Sequence, residues 1–279
     1  LSAPVSEAVS NDGTKKYLFQ VLKDKYIEAA YIPEYERATL CVSSQAGCKM
    51  GCIFCMTGRQ GFQGNLSSNE ILNQFRSIPE FSRLTNIVYM GMGEPLDNIE
   101  EVLKSLEILT SEWGYGWSPT RITLSTIGIK DKIRKFVEKS RCHLAISLHS
   151  PFDNERVKLM PIQKTNSIKD VIDIIKEYDF SGQRRVSFEY ILFKGLNDTP
   201  AHVKELARLL DGLKCKINII RFHNIPGSEL TSPAREETER FRDELNRKGI
   251  IATVRASRGE DIGAACGLLS TLKQNKQEQ

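Results

Sequence analysis

The sequence predicts an α/β fold built on a parallel sheet, and three observations carry that prediction. Short apolar, β-branched runs recur six times, at 38–43, 86–91, 121–126, 142–148, 185–193 and 215–221. Stretches of helical periodicity fill the gaps, at 68–78, 98–112, 129–140, 167–179 and 200–211. The repeat of roughly 35 residues is long enough for a helical crossover between parallel strands. Several runs are apolar on both faces, as a sheet covered on both sides requires. Six such units can curl into a partial (β/α)6 barrel or lie flat as a doubly wound sheet, and periodicity does not choose.

In chain order, residues 1–12 are small and polar and read as a loose lead-in. KKYLFQVL and YIEAAYIPE flank a short charged turn and predict a β-hairpin, so that residues 1–36 form an extension ahead of the core. The core at 37–271 adds a helix at 233–248, a last strand-like run at 250–256 and a small-residue helix at 260–271. The polar tail, 272–279, is expected to be disordered. No linker splits the chain.

The chain has 279 residues, 40% of them apolar, which excludes a disordered protein. No window approaches ~18 uninterrupted apolar residues, so no membrane span is expected. The chain starts at Leu1 without an initiator methionine or signal-peptide pattern, and reads as a fragment or trimmed chain. Its net charge of +4 is compatible with a polyanionic partner without demanding one. Seven cysteines are an odd number, and four crowd between residues 41 and 55. That pattern fits reduced cytoplasmic thiols holding a metal or cluster better than a secreted disulfide scaffold.

The sharpest motif is Cys48-x3-Cys52-x2-Cys55, directly after the first core strand. Three thiolates on one short loop can hold three corners of a cubane iron–sulfur cluster and leave the fourth iron open to bind and reduce a small molecule. Gly51 suits a tight wrap of backbone there. The alternative is a structural zinc site with Cys41 as fourth thiolate. Only one Cys-x2-Cys pair exists, however, and none of His143, His149, His202 and His223 is near. A barrel enzyme carries its chemistry at the carboxyl ends of its strands. There the sequence offers Gly91-Met92-Gly93-Glu94-Pro95, a turn suited to presenting Glu94 to a cationic amino group. It also offers Ser125-Thr126, Ser147-Leu148-His149 and His223-Asn224. Taken singly, each is equally a cap or turn residue.

The cysteine spacing, with Phe54 before the third thiol, resembles the radical S-adenosylmethionine (SAM) superfamily. Six ordered stretches then resemble one of its families closely: RATLCVSSQAGCKMGCIFCMTGRQGF, VYMGMGEPLDN, RITLSTIG, AISLHSP, CKINIIRFHNIPG and VRASRGEDIGAACG. That family is the RlmN/Cfr group of radical-SAM RNA methyl synthases. The Gln-Gly-Phe after the third cysteine is more similar to the RlmN branch, which methylates C2 of adenosine, than to the Cfr branch, which methylates C8. The resemblance implies a partial (β/α)6 radical-SAM barrel preceded by a β-hairpin extension. It implies a 4Fe-4S cluster on Cys48, Cys52 and Cys55, and SAM, two molecules per turnover, held by Gly93, Glu94, Ser125, Ser147, Leu148, His149 and Asn224. It makes Cys266 the S-methylated carrier, Cys41 the resolving cysteine and Glu28 the proton acceptor.

The substrate so implied is 23S rRNA, with tRNA a second candidate. A monomer is expected to act with an external electron donor, in the cytoplasm. Candidate RNA contacts are Arg59, Arg121, the stretch 130–141 with six Lys/Arg against two acids, and Arg255 and Arg258. The basic stretch is equally a solvated helix face. By residue type alone, Cys266 and Cys41 are equally core thiols and Glu28 a solvated charge. Cys142 and Cys215, at strand starts, are structural. Two departures from the family stand out: the small helical domain that precedes the hairpin is missing, and Gly267-Leu268-Leu269 replaces the usual Gly-Gln-Leu. C8 methylation and a zinc-stabilised RNA-binding module are the competing functions.

Overall fold

The computed structural model describes residues 1–22, 24–180, 182 and 184–271, so the tail expected at 272–279 lies outside the described residues. Three antiparallel strands open the chain: β1 (Ser6–Val9), β2 (Lys15–Val21) and β3 (Lys25–Pro33). The hairpin is as expected, but the lead-in is not loose. β1 pairs with β2 from Ser6↔Leu18 to Val9↔Lys15. Most of β1 is exposed, so it carries no apolar alternation, and ladder hydrogen bonds alone define it.

β3 pairs antiparallel with β4 (Ala38–Cys41). The next segment holds a two-residue ribbon, β5 (Gln45–Ala46) with β6 (Gly64–Asn65), which closes the base of the cysteine loop. From β4 the sheet runs parallel through β7 (Asn86–Tyr89), β8 (Ile122–Thr126), β9 (His143–Ser147), β10 (Val186–Leu192), β11 (Cys215–Arg221) and β12 (Ile251–Val254). Strand order follows chain order without a reversal. A doubly wound sheet must reverse at a switch point. Unidirectional right-handed crossovers instead curl the sheet into a barrel. Here β1 and β12 remain its two edges, and the barrel is partial.

The crossovers contain α1 (Met56–Gln60), α2 (Ser68–Arg76), α3 (Ile99–Thr110), α4 (Lys130–Lys139), α5 (Asp153–Leu159), α6 (Ile168–Lys176), α7 (Pro200–Leu209) and α8 (Arg235–Arg247). α2 starts where Ser67 and Glu70 exchange side-chain and backbone hydrogen bonds, which satisfies helix donors that have no carbonyl partner. α5 has no counterpart in the periodicity, because it is only seven residues long. Alternate strand residues such as Ile87, Leu124, Ile146, Phe188 and Ile217 face the helices, and join Phe75, Leu106, Phe136 and Phe241 in the main core. No described helix is long and apolar enough to cross a membrane.

Segment 260–271 is a run of turns, not the helix its small residues predict. Gly259, Gly263 and Gly267 all adopt positive φ, and each reverses the chain before a second helical turn can form.

The loop after β10 is held by Asn197, which is fully buried. Its amide nitrogen donates to the carbonyls of His149 (2.6 Å) and Ile191 (2.7 Å), and its oxygen accepts from the Phe193 N–H (2.7 Å). Asn197→Ala leaves three backbone groups unpaired away from water. Urea unfolding should show a loss of about 2–4 kcal/mol, and a loss of only a few tenths would mean water replaces the amide.

Candidate active site

The cysteine loop lies across the carboxyl ends of the strands. Residues 42–46 carry its root, and buried side chains pair their backbone. Gln74 accepts from the Ser43 N–H (2.8 Å) and donates to the Ser43 carbonyl (2.9 Å). Asn98 donates to the carbonyls of Ser44 (2.9 Å) and Leu66 (2.7 Å). The Gly91-x-Gly93 turn packs directly on this root. A Cβ on Gly91 would stand 2.7 Å from Val42, and one on Gly93 (φ +98°) 2.5 Å from Gln45. Both glycines thus serve close approach of two loops. Farther along, Cys52 and Phe54 are buried with Ile127, Leu159, Phe193 and Phe222, which anchors the loop tip.

The turn directs Glu94 inward. Its carboxylate accepts from Thr126 Oγ1 (2.5 Å) and from the N–H groups of Ile127 and Leu96 (both 3.0 Å). Burial pushes its pKa up to about 7 against these hydrogen bonds. Ser125 and Ser147 are half-buried, and Asn224 is exposed. The Leu148 side chain belongs to the main core, so this residue offers the site only its backbone. His149, at φ +57°, accepts the Ile191 N–H on Nδ1 (3.0 Å) and meets the Phe54 ring edge-on at 4.8 Å. Burial, helped by the Arg156 charge, holds its pKa down to about 3, so the ring is neutral.

Arg156, a residue sequence reasoning missed, is completely buried beneath this end of the barrel. Its guanidinium donates to the carbonyls of Ile127 (2.8 Å), Ser147 (2.9 Å) and Leu148 (3.1 Å) and to Gln163 Oε1 (2.5 Å). Only the position of an arginine after two acids on a short helix could have signalled it, and that pattern is ordinary.

The three loop thiols act on one another electrostatically. Burial raises Cys48 to about 12 and Cys52 well above its usual range, with the neighbouring thiols adding to both. Cys41 does not join them: burial and then Cys266 raise its pKa, while Arg255 opposes. Among the described residues no three His, Cys, Asp or Glu are gathered for one metal ion. Cys41 packs with Ala30 and Ala264 and faces Cys266 and Arg255 instead of the loop thiols, which does not suit it as a fourth zinc ligand. Three loop thiols without a fourth fit a cluster held at three corners.

A cavity of about 560 Å³ opens beside the loop, and its wall includes Cys41, Cys55 and Cys266 together. Cys266 is exposed to it, and Cys41 is buried behind it. All seven cysteines are free. Crowding by the cavity walls raises the pKa of the Cys266 thiol, and Arg255 counteracts. The Gly267 carbonyl accepts from the Met56 N–H (2.8 Å), which ties the Cys266 turn to the residue after Cys55.

Glu28 is not a solvated charge. It is 1% exposed, pairs with Lys16 (3.0 Å) and accepts from the Ser270 N–H (2.9 Å). It is not part of the cavity wall. Arg255 and Arg258 do line the cavity, whereas Arg59 donates to the Pro226 and Ile53 carbonyls beside the loop. Arg121 precedes β8, at the opposite end of the barrel. The stretch 130–141 is mostly α4, where Lys130, Arg134 and Lys135 pair with Asp170, Glu177 and Glu100. Those three cations belong to a helix face bridged to acidic neighbours. Cys142 and Cys215 lie at the starts of β9 and β11, away from the cavity.

Glu94 gives a pH test in the cluster-free protein. Its pKa is higher folded than unfolded, so its charge weakens the fold as pH rises from 4.5 to about 7. Glu94→Gln should gain stability relative to the parent by up to about 3 kcal/mol across that window. An unfolding difference that stays flat with pH would contradict it.

Residues 42–210 match the Radical SAM superfamily. A "Probable dual-specificity RNA methyltransferase RlmN" of Bacteroides fragilis (strain YCH46) is 59% identical over 276 residues, covering 99% of this chain and 80% of the relative. One of the same name from Porphyromonas gingivalis (strain ATCC BAA-308 / W83) is 60% identical over 270 residues, covering 97% and 79%. Among solved structures, a radical SAM methyltransferase from Sphaerobacter thermophilus matches with a TM-score of 0.91 at 41% identity, over 96% of this chain and 80% of that one. Strand order, thiol arrangement and these relatives agree, and the chain belongs to the RlmN family of dual-specificity RNA methyltransferases within the radical SAM superfamily.

Proposed function

We propose that this chain methylates C2 of an adenosine in 23S rRNA, with tRNA as a second substrate, through an S-methylcysteine at Cys266. The observation that carries the proposal is the one cavity shared by Cys266, Cys41 and Cys55. Cys48, Cys52 and Cys55 would hold the 4Fe-4S cluster. Gly93, Glu94, Ser125, Ser147, His149, Asn224 and the Leu148 backbone would hold SAM. Bound there, these groups supply the methyl carbon and, from a second SAM, the one-electron chemistry that activates it.

The chain's own residues do the rest. Adenine C2 is electron-poor and does not attack a methyl donor, so the carbon needs a carrier. A sulfur nucleophile facing the cavity suits that task, and Cys266 is exposed to it. Once the activated carbon is bonded to C2, the Cys41 thiolate attacks the Cys266 sulfur. Before that attack the adduct gives up its C2 proton and the unpaired electron left by addition, which the cluster would accept. The S–S bond then forms as the C–S bond breaks, and the product carbon keeps that electron pair and takes up a proton to become the methyl group. Such exchange needs ionised thiol, and Arg255 favours it at both sulfurs. Glu28 is the candidate proton acceptor. Burial raises its pKa and makes it a better base, while Lys16 and the Ser270 N–H hold it in place. The disulfide formed must be reduced by cellular dithiols, which fits a cytoplasmic monomer served by an external electron donor.

The test begins with anaerobic reconstitution, which should give brown protein with about four irons per chain and an EPR signal that SAM alters. Ribosomal RNA treated with it should yield 2-methyladenosine on digestion and mass spectrometry; 8-methyladenosine, or no methylated base, would overturn the proposal. Cys266→Ala should abolish transfer, and normal activity there would remove the carrier. Cys41→Ala should accumulate a covalent protein–RNA adduct, and normal yield of free methylated RNA would remove the resolving step.

A further inference from the structure

One level of the barrel's lumen face is polar across four neighbouring strands. Ser147 on β9 stands opposite Glu189 on β10, Glu189 opposite Asn218 on β11, and Asn218 opposite Thr253 on β12. Strand alternation puts them on the cavity side. Lys216, Asn218 and Ile220 line the cavity, while Ile217 and Ile219 pack into the main core. The row is hydrogen-bonded: Asn218 Nδ2 donates to Glu189 Oε1 (2.7 Å), and Thr253 Oγ1 donates to Asn218 Oδ1 (3.3 Å). These bonds fix which way the Asn218 amide points, since reversal would set its oxygen against the carboxylate.

An amide can make two hydrogen bonds from its nitrogen and two to its oxygen. Asn218 uses one of each within the row, which leaves an adjacent donor and acceptor at the cavity floor. Glu189, 3% exposed, keeps Oε2 without a hydrogen-bond partner, and Arg255 Nε stands 3.8 Å away as an ion pair only. A buried carboxylate oxygen left open is costly unless something fills the site. An adjacent donor and acceptor on an asparagine match the 6-amino group of adenine and N7, the ring nitrogen beside it on the edge remote from C2.

We propose that Asn218 reads the 6-amino edge of the acceptor adenine, with Glu189 and Thr253 as positioning residues that hold its amide in register. The assignment rests on the function proposed above and names how the same cavity selects its base. The edge so held points away from C2, which leaves the reacting carbon toward Cys266.

The test uses the reconstituted protein and two synthetic stem-loops of the ribosomal target sequence. They carry either adenosine or purine riboside, which keeps the C2 hydrogen but lacks the 6-amino group, at the acceptor position. The parent should prefer adenosine by roughly 10-fold or more in kcat/KM. Asn218→Ala should bring that ratio close to one, and the isosteric Glu189→Gln should reduce it by letting the amide turn. A purely structural role would lower both substrates alike and keep the ratio, and that result overturns the proposal. So does a loss confined to the KM for SAM, which would assign the row to the cofactor. If the parent methylates neither stem-loop, the function proposed above fails and takes this assignment with it.

Discussion

A loop that carries three thiols must lie against the barrel end and still find partners for its peptide groups. Burial removes water as that partner, and an unpaired buried peptide group costs about as much as a lost hydrogen bond. The structure answers with buried polar side chains aimed at main chain. Gln74 and Asn98 hold the root of the loop. Arg156 gathers carbonyls from the ends of β8 and β9. Asn197 ties the turn after β9 to the end of β10. The strand ends thus form one hydrogen-bonded rim, and Glu94, Ser147 and His149 hold their positions because their neighbours' backbone cannot move without losing bonds inside it.

Much of the frame was legible from local signals. A βα repeat with apolar strands needs only short windows to recognise, and Cys48, Cys52 and Cys55 lie within eight residues. The thiol spacing also led to the cavity's neighbourhood, since Cys55 lines it. What failed depended on partners far along the chain. β1 exists because of β2, not because of its own pattern. Segment 260–271 looked helical by composition, yet its glycines adopt the positive φ that makes turns. Glu28 looked solvated because a hairpin usually is; Lys16 and the Ser270 segment enclose its carboxylate. The polar row was invisible for the same reason. Glu189 and Asn218 each sit in an apolar run, and only strand register brings them side by side.

The electrostatics divide the site in two. Around the loop, burial dominates and raises the pKa of Cys48 and Cys52. Ligation must therefore release protons, which makes cluster loading easier at higher pH. Around Cys41 and Cys266, one cation, Arg255, stands near both sulfurs and near Glu189. A shared counter-charge lets either sulfur ionise without both doing so together.

The Cys266 turn is stitched to the opening strands. Ser10 and Asp261, 251 residues apart, share a hydrogen bond, as do Asp12 and the Gly259 N–H, 247 apart. Few contacts in a chain of this size reach farther. Bonds that span the chain form only after loops of that length have closed, and such closure is slow. On a translating ribosome the cysteine loop emerges long before the turn that walls its cavity. The loop's thiols are therefore made before the segment that walls their cavity, and that wall can dock only once residues 259–267 have been made.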